Sequence, residues 1–416
     1  MRLFFVLSCW IFLSMDQVFA QPQNHNWNFG GDIWLAFNSG EAEICEPLEF
    51  WSWEAGASIS DRDGSLLIYT NGVEVYNKHG EVISEIEVSA DDSLYYKSLT
   101  QGVLILPGTL ESGKYSIIGI SRYAVVDMSL DSGNGGMFDF PAWKPLDLAA
   151  SGFGEKNIAI RHGNGRDWWV VQSMHTYNLA TQNWDTLLVC YFFDSEGVRK
   201  RVDNTINFRG SVGSLPAGEM TVSHDGSKIA LVFYGSVLVY SFNRCTGEFV
   251  EELCYIDSLD KLYGAAFSKS GRYLYFTQTS GYPAGSNILY QLDVQKNQYG
   301  ENEIQKIYER DNYINYSIGQ LELGPDDRIY IATYGPGFFA LNMNLAVVRY
   351  PDLPGIMCGF DTLGVWLGGN RSSMASPTPS TTPLALWSAV NVTRLAAPPP
   401  FLPKPPFPRR GKLPPP

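Results

Sequence analysis

The densest gathering of chemically capable side chains lies between residues 162 and 175. His162, Asp167 and His175 supply two imidazoles and a carboxylate, a donor set suited to a metal ion or to general acid/base work, and Trp168 and Trp169 offer flat faces of the kind that stack on sugars. These five are the ligand-binding candidates. Consecutive strand residues point to opposite faces, so the two indoles cannot form one platform. The competing reading is a turn in which Asp167 accepts backbone N–H groups, with one Trp packed between sheets and the other at a rim.

Asp61, Asp63, Asp225, Asp326 and Asp327 have the oxygen chemistry for calcium, but none sits in the dense alternation of oxygen ligands that a calcium loop shows. Bracing of turns is their expected role, and neither a metal nor a cofactor is expected. Glycoside hydrolysis needs two carboxyl groups held about 5 to 9.5 Å apart, or a tyrosine nucleophile with clustered arginines, whereas the arginines here are scattered singly. Gly-x-Ser-x-Gly, His-Glu-x-x-His, phosphate-loop and Cys-x-x-Cys signatures are all missing from the sequence, which removes the common hydrolase, metalloprotease, nucleotide and zinc readings.

The elements that must position these groups show in six turns, centred on Gly64, Gly113, Gly165, Gly226, Gly271 and Asp327. Each is followed at once by an alternating β-branched and aromatic run such as Arg272-Tyr273-Leu274-Tyr275-Phe276. Gly or Asp tolerates positive φ, so each is a hairpin entering a strand. Successive turns lie 45 to 61 residues apart, close to the length of one four-stranded propeller blade. From 21 to 373 no helical apolar period exceeds a turn or two, and aromatic residues make up 14 % of the chain, which suits packing between wedge-shaped blades. The expected fold is all-β: a single propeller, six hairpins plus one closing blade making seven, with six the alternative count. Closure is expected to pair the segment from Trp27 to Phe37 with the last strand near Val365 to Leu367.

The 30 basic and 43 acidic residues leave a net charge of −13, with no basic cluster before the tail, which argues against nucleic acid and against an anionic membrane surface as partners. Arg2, the apolar run from Leu3 to Met15 and Val18-Phe19-Ala20 read as a secretory signal of residues 1–20 cleaved before Gln21, too short and too interrupted by Asp16 to span a membrane. Export permits disulfides. Of Cys45, Cys190, Cys245, Cys254 and Cys358, the pair Cys245 and Cys254, flanking Thr246-Gly247, is the best local candidate, on adjacent strands of one hairpin; Cys190 reads as an inert buried thiol.

Several strings, taken in order, carry a resemblance: Gly64-Ser65-Leu66-Leu67-Ile68-Tyr69-Thr70-Asn71-Gly72, Ser98-Leu99-Thr100-Gln101-Gly102, Val125-Val126-Asp127-Met128, His162-Gly163-Asn164-Gly165-Arg166-Asp167-Trp168-Trp169, Leu289-Tyr290-Gln291 and Ile318-Gly319-Gln320-Leu321-Glu322-Leu323-Gly324. From about Trp27 to Ser373 the chain resembles the propeller module of secreted, surface-associated proteins of gliding bacteria that use the type IX secretion route. In that family immunoglobulin-like repeats and a sorting domain follow the propeller, and the resemblance implies an adhesive or protein-binding role. Ser60-Asp61-Arg62-Asp63-Gly64 also resembles the Asp-box turn of sialidase-type propellers, in which the acid braces the hairpin.

The sequence departs from the family after Ser373, where Gly-Leu-Pro-Asn-Phe is expected. Residues 374–416 hold no Asp or Glu and are rich in Pro, a composition expected to be disordered with polyproline II character. Bases encoding Tyr-Gly-Leu-Pro-Asn, read one position on, give Met374-Ala375-Ser376-Pro377-Thr378, so the tail is expected to be a one-base frameshift product without function. The expected function is that of a secreted or cell-surface, non-enzymatic propeller binding a protein or polysaccharide over one mouth of the ring. The alternatives are a propeller-type glycan hydrolase or lyase, and a truncated fragment of a larger surface protein.

Overall fold

The computed structural model describes residues 22–29, 33–46, 48, 50, 52, 54–86, 96–108, 113–139, 143–146, 153–178, 183–206, 217–256, 259–279, 286–297, 304–310, 316–334 and 342–372. The chain divides into two units, Met1–Leu384 and Ala385–Pro416, and the described residues all belong to the first. The expected signal segment 1–20 and tail 374–416 lie outside the described residues.

Seven antiparallel sheets follow one another along the chain. Blade 1 holds β1 (Asn26–Asn28), β2 (Trp34–Ala36) and β3 (Glu43–Ile44). Blade 2 holds β4 (Ala57–Ser60), β5 (Leu66–Thr70), β6 (Glu74–Asn77) and β7 (Val82–Glu85). Blade 3 holds β8 (Val103–Pro107), β9 (Lys114–Gly119), β10 (Arg122–Asp127) and the short β11 (Gly136–Met137) and β12 (Trp143–Pro145). Blade 4 is the longest, with β13 (Phe153–Arg161), β14 (Trp168–Asn178), β15 (Asn183–Asp194) and β16 (Gly197–Ile206). Blade 5 has β17 (Met220–Val222), β18 (Lys228–Phe233), β19 (Ser236–Asn243) and β20 (Glu248–Ile256). Blade 6 has β21 (Leu262–Phe267), β22 (Tyr273–Gln278), β23 (Asn287–Asp293) and β24 (Ile304–Arg310), and blade 7 has β25 (Ser317–Leu323), β26 (Ile329–Tyr334), β27 (Asn344–Val348) and β28 (Phe360–Trp366). The first strands β4, β8, β13, β17, β21 and β25 touch in series and so line the axis. The chain is an all-β, seven-bladed β-propeller.

Period-two alternation builds the cores between blades. In β18, Ile229, Leu231 and Phe233 pack with Trp169, Val171 and Cys190 of blade 4. Their neighbours Ala230 and Val232 pack the opposite way, with Phe267, Leu274 and Phe276 of blade 6. A buried sheet therefore serves two cores at once, and a one-residue slip would exchange them.

All six turns read from the sequence join the first and second strands of blades 2 to 7. Gly64, Gly113, Gly165, Gly226 and Gly271 hold φ between +61° and +84°, and Asp327 takes the equivalent place at +67°. Three of the five acids brace their turns as expected, Asp61, Asp225 and Asp326, whereas the Asp327 carboxylate pairs with Lys269: Asp61 Oδ1 accepts from the amides of Asp63 and Ser65, both at 2.9 Å, and Asp225 Oδ1 from that of Ser227 at 3.0 Å. Asp326 accepts from the Arg328 amide and, at 2.7 Å, from the Tyr330 hydroxyl.

Two expectations are corrected. Among the described residues, the terminal segments do not pair as strands: β28 pairs with β27, Leu345 opposite Val365, and β1 with β2. The nearest antiparallel partner in sequence wins, and Gly364 lets β28 lie against Val347, whose Cγ2 is 2.5 Å from the site a Cβ would occupy. The two ends meet instead through side chains, Trp27, Phe29, Leu35 and Phe37 packing with Tyr330, Leu345, Val347 and Leu367. An Arg328–Glu41 ion pair at 3.0 Å lies across the same junction.

The second correction concerns the cysteines, because Cys245 and Cys254 are unbridged. Cys245 sits in the turn after β19, whereas Cys254 is paired with Val239 far down β20. Six strand residues span about 20 Å, well past the roughly 7 Å limit for a bridge. Cys190 is fully buried, as read, and burial pushes its thiol well above the ordinary range.

The turn geometry gives opposite expectations for two substitutions. Gly226→Ala adds a Cβ at positive φ and 2.9 Å from Arg244 Cδ, and should cost more than about 1 kcal/mol of stability, read as a lower denaturant midpoint. Asp327→Gly relieves the same backbone strain and gives up only an exposed pair with Lys269, so urea unfolding should show it neutral to about 1 kcal/mol more stable.

Candidate functional site

The residues singled out between 162 and 175 do not form one site. His162 Nδ1 accepts from the Asn164 amide at 3.1 Å, which leaves Nε2–H to donate to the Cys245 carbonyl of the next blade, also at 3.1 Å. Asp167 is held by Arg166 at 3.0 Å and by the Asn164 amide group at 2.6 Å, and its carboxyl is pushed below the usual range, chiefly by Arg166. The acceptor for the backbone amides of this turn is Asn164 Oδ1, which takes those of Arg166 and Asp167 at 3.0 Å each, rather than Asp167 as expected.

Neither tryptophan reaches a rim. Trp168, 4 % exposed, packs toward blade 3 with Leu104 and Ile118, with the Arg161 guanidinium 3.7 Å over its ring. Trp169, 1 % exposed, packs toward blade 5 and donates Nε1–H to the Arg244 carbonyl at 2.8 Å. His175 lies seven residues along β14, about 23 Å away, beside Thr186 and Phe233; burial, aided by Lys156, lowers its pKa to about 4. The cluster ties blade 4 to its neighbours and presents no shared surface.

A second constellation, which no motif announces, forms where the first strands begin. Register shifts interrupt the pairing of β21 between Leu262 and Ala265 and of β25 between Ile318 and Leu321. Such bulges free backbone amides from the ladder. Glu219, entering β17, places Oε2 on both freed groups, 2.6 Å from the Ala265 amide and 3.1 Å from that of Leu321. Gly264 is required at the shift, since a Cβ there would lie 2.3 Å from the Gly319 carbonyl oxygen. Gln101 clamps the amide and the carbonyl of Met220, each at 2.8 Å, and Gln320 donates to the Thr100 carbonyl from the far side of the ring. Blades 3, 5, 6 and 7 are thereby joined across the axis.

On one side of this polar floor, toward one end of the ring axis, stands a second polar group. Thr100 gives both its hydroxyl, at 2.7 Å, and its amide, at 3.3 Å, to Glu155 Oε2. Beside them stand Glu54, Tyr263 and Tyr334. Burial, with Glu155 nearby, pushes the Glu54 carboxyl up to about 8, so it is largely protonated at neutral pH. Lys156 is fully buried; its Nζ donates to the Ala217 carbonyl at 3.0 Å and lies 4.5 Å over the Phe233 ring, and desolvation lowers it to about 7. On the other side of the floor is a cavity of about 50 Å³, lined among others by Gln101, Glu219, His224 and Glu322. Burial raises the Glu322 carboxyl as well. Among the described residues no three His, Cys, Asp or Glu side chains are grouped so as to hold a metal ion.

No protein-family model matches the chain, and no curated protein matches it. Solved structures similar to it include a Lactobacillus plantarum protein, at 11 % identity over 84 % of this chain and 93 % of that one with a TM-score of 0.46. The Dos1 propeller matches at 8 % identity over 86 % and 87 %, TM-score 0.47. Kuenenia stuttgartiensis hydrazine synthase matches at 12 % over 87 % and 89 %, TM-score 0.43. Likenesses this distant say nothing about the activity.

Glu54 makes stability depend on pH in a stated direction. Its folded pKa of about 8 lies above the ordinary 4.5, so the stability it contributes is fully present below pH 4.5 and is lost as pH rises through 8. Glu54→Gln removes that loss. Melting curves from pH 5 to 8 should show the variant gaining on the parent steadily, by a few kcal/mol in all, and parallel curves would contradict the burial of this carboxyl.

Proposed function

We propose that this propeller is an exported module that acts by binding, taking a protein or polysaccharide ligand at the mouth built by Glu54, Thr100, Glu155 and Tyr263. The observation that carries the reading is that the mouth is pre-set. Carboxyl groups from three blades, Glu54, Glu155 and Glu219, stand around a buried phenol on a frame braced across the axis by Gln101 and Gln320. Preorganised groups lose little freedom when a ligand arrives. The cavity on the far side of the floor, about 50 Å³, has room for a few waters. The apolar leader with its Ala20 cleavage site supports export, and the acidic balance argues against nucleic acid. Among the described residues no helix is long and apolar enough to cross a membrane.

One observation favours a second reading, a glycan hydrolase or lyase. A carboxyl kept protonated near neutrality beside another carboxyl, as Glu54 is beside Glu155, is the arrangement a general acid needs. A combined protein and glycan array probed with the purified chain separates the two. The binding reading expects discrete ligands, lost in Glu54→Lys, with no new reducing or unsaturated ends released from any bound glycan. Release of such ends that Glu54→Gln abolishes would transfer the assignment to the enzyme. A blank array would remove the binding reading.

A further inference from the structure

We infer that the outer edge of blade 7 is an interface between two copies of this chain: an apolar stripe along β28 and the turn before it, meeting its own image across a two-fold axis. Exposed large apolar side chains are unevenly spread among the described residues. Val82 and Val250 stand singly on β7 and β20, whereas Tyr350, Leu353, Ile356, Met357, Leu363 and Trp366 fall within one stretch of seventeen residues. Scattered exposed hydrophobes are ordinary, and a group of them marks a surface that is covered in use.

The stripe is held rigidly. The turn from β27 to β28 reaches back over blade 6, where two buried side chains pin it: Tyr275 Oη donates to the Pro351 carbonyl at 2.9 Å, and Gln291 gives Nε2–H to the Leu353 carbonyl at 2.8 Å while its Oε1 accepts from the Gly355 amide at 2.7 Å. Ile356, 86 % exposed, therefore stands out on fixed backbone. On β28 the register shift sets Thr362, Leu363 and Gly364 opposite Ala346 alone, and Asp361 Oδ1 holds the Leu363 amide at 2.9 Å within that bulge. Side chains fixed in this way lose little freedom when a partner covers them. The bulge also breaks the straight ladder an added strand would need, so the contact is made by side chains.

Comparison with the other blades sharpens the point. The fourth strand of a blade is an open edge, and charged residues are the usual guard against chance association there. Four charged residues lie on β16, three on β20 and three on β24. The only one on β28 is Asp361, and it is paired with Arg349 at 2.7 Å.

Area and charge both favour a second copy as the occupant. Six large side chains of about 200 Å² each, exposed by 44 to 86 %, offer roughly 750 Å² per copy, near the ~800 Å² per partner of a standard interface. A two-fold contact needs only one patch, facing itself. Arg349 and Asp361 cancel within the stripe, and Asp352 at its border is turned to the amide and hydroxyl of Ser270 on blade 6, so the patch offers a strongly charged partner no complement. The chain's net charge of −13 opposes association only through the surface at large, over ranges that ordinary salt screens beyond about 10 Å.

Sedimentation of the purified full chain across micromolar concentrations tests the inference. The parent should form a dimer, and the dimer should tighten as salt rises, the sign expected of an uncharged contact between two acidic chains. Ile356→Glu and Trp366→Glu, made separately at exposed positions, should each weaken the dimer at least about tenfold with an unchanged melting transition, whereas Val250→Glu on blade 5 should leave it intact. Oxidative footprinting gives a second reading, with Met357 and Trp366 reactive in dilute protein and protected in concentrated protein. A chain that stays monomeric overturns the inference: if Met357 and Trp366 are protected, another part of the same chain covers the stripe, and if they are reactive, a different partner does. A dimer indifferent to both glutamate substitutions is built elsewhere and overturns it equally.

Discussion

Everything at the centre of this ring depends on one carboxylate oxygen. Where the first strands of blades 6 and 7 bulge, the amides of Ala265 and Leu321 leave their ladders, and buried N–H groups must find acceptors. Glu219 Oε2 takes both, from a third blade. The same few ångströms hold the Gln101 clamp on Met220 and the reach of Gln320 to Thr100, so four blades are bonded through the axis rather than only to their neighbours. A propeller held only by packing between adjacent blades has no such tie. Here the polar floor fixes how far apart the first strands stand, and with it the separation of the groups above and below.

The electrostatics of the mouth follow from that fixed spacing. Carboxyls that cannot move apart or reach bulk water respond by changing protonation, as Glu54 does above the floor and Glu322 below it. Lys156 and His175 show the same effect in bases, both lowered by burial.

How much of this could be read from the sequence varied with the physics involved. The blade count was legible because positive φ at Gly64, Gly113, Gly165, Gly226, Gly271 and Asp327 restricts residue choice at one repeated place. The binding cluster proposed at His162, Asp167, Trp168, Trp169 and His175 drew on local density, but strand alternation and a long β14 disperse it into two cores and a distant histidine. The Cys245 and Cys254 pair failed for a related reason, since nearness in sequence along one strand is distance in space. Glu54, Glu155 and Glu219 were invisible because they lie in three blades and share no motif. The one available signal was that Thr100, Gln101 and Gln320 fall within two of the strings that carried the family resemblance.

Native-state hydrogen exchange at two amides tests the central tie most directly. If Glu219 holds the axis, the Ala265 and Leu321 amides, though outside their strand ladders, should exchange only with global unfolding, at protection equal to that of the most buried amides of β22 and β26. In Glu219→Gln both should become exchangeable through local opening while those core amides keep their protection relative to global stability. Fast exchange at Ala265 and Leu321 in the parent protein would contradict the account.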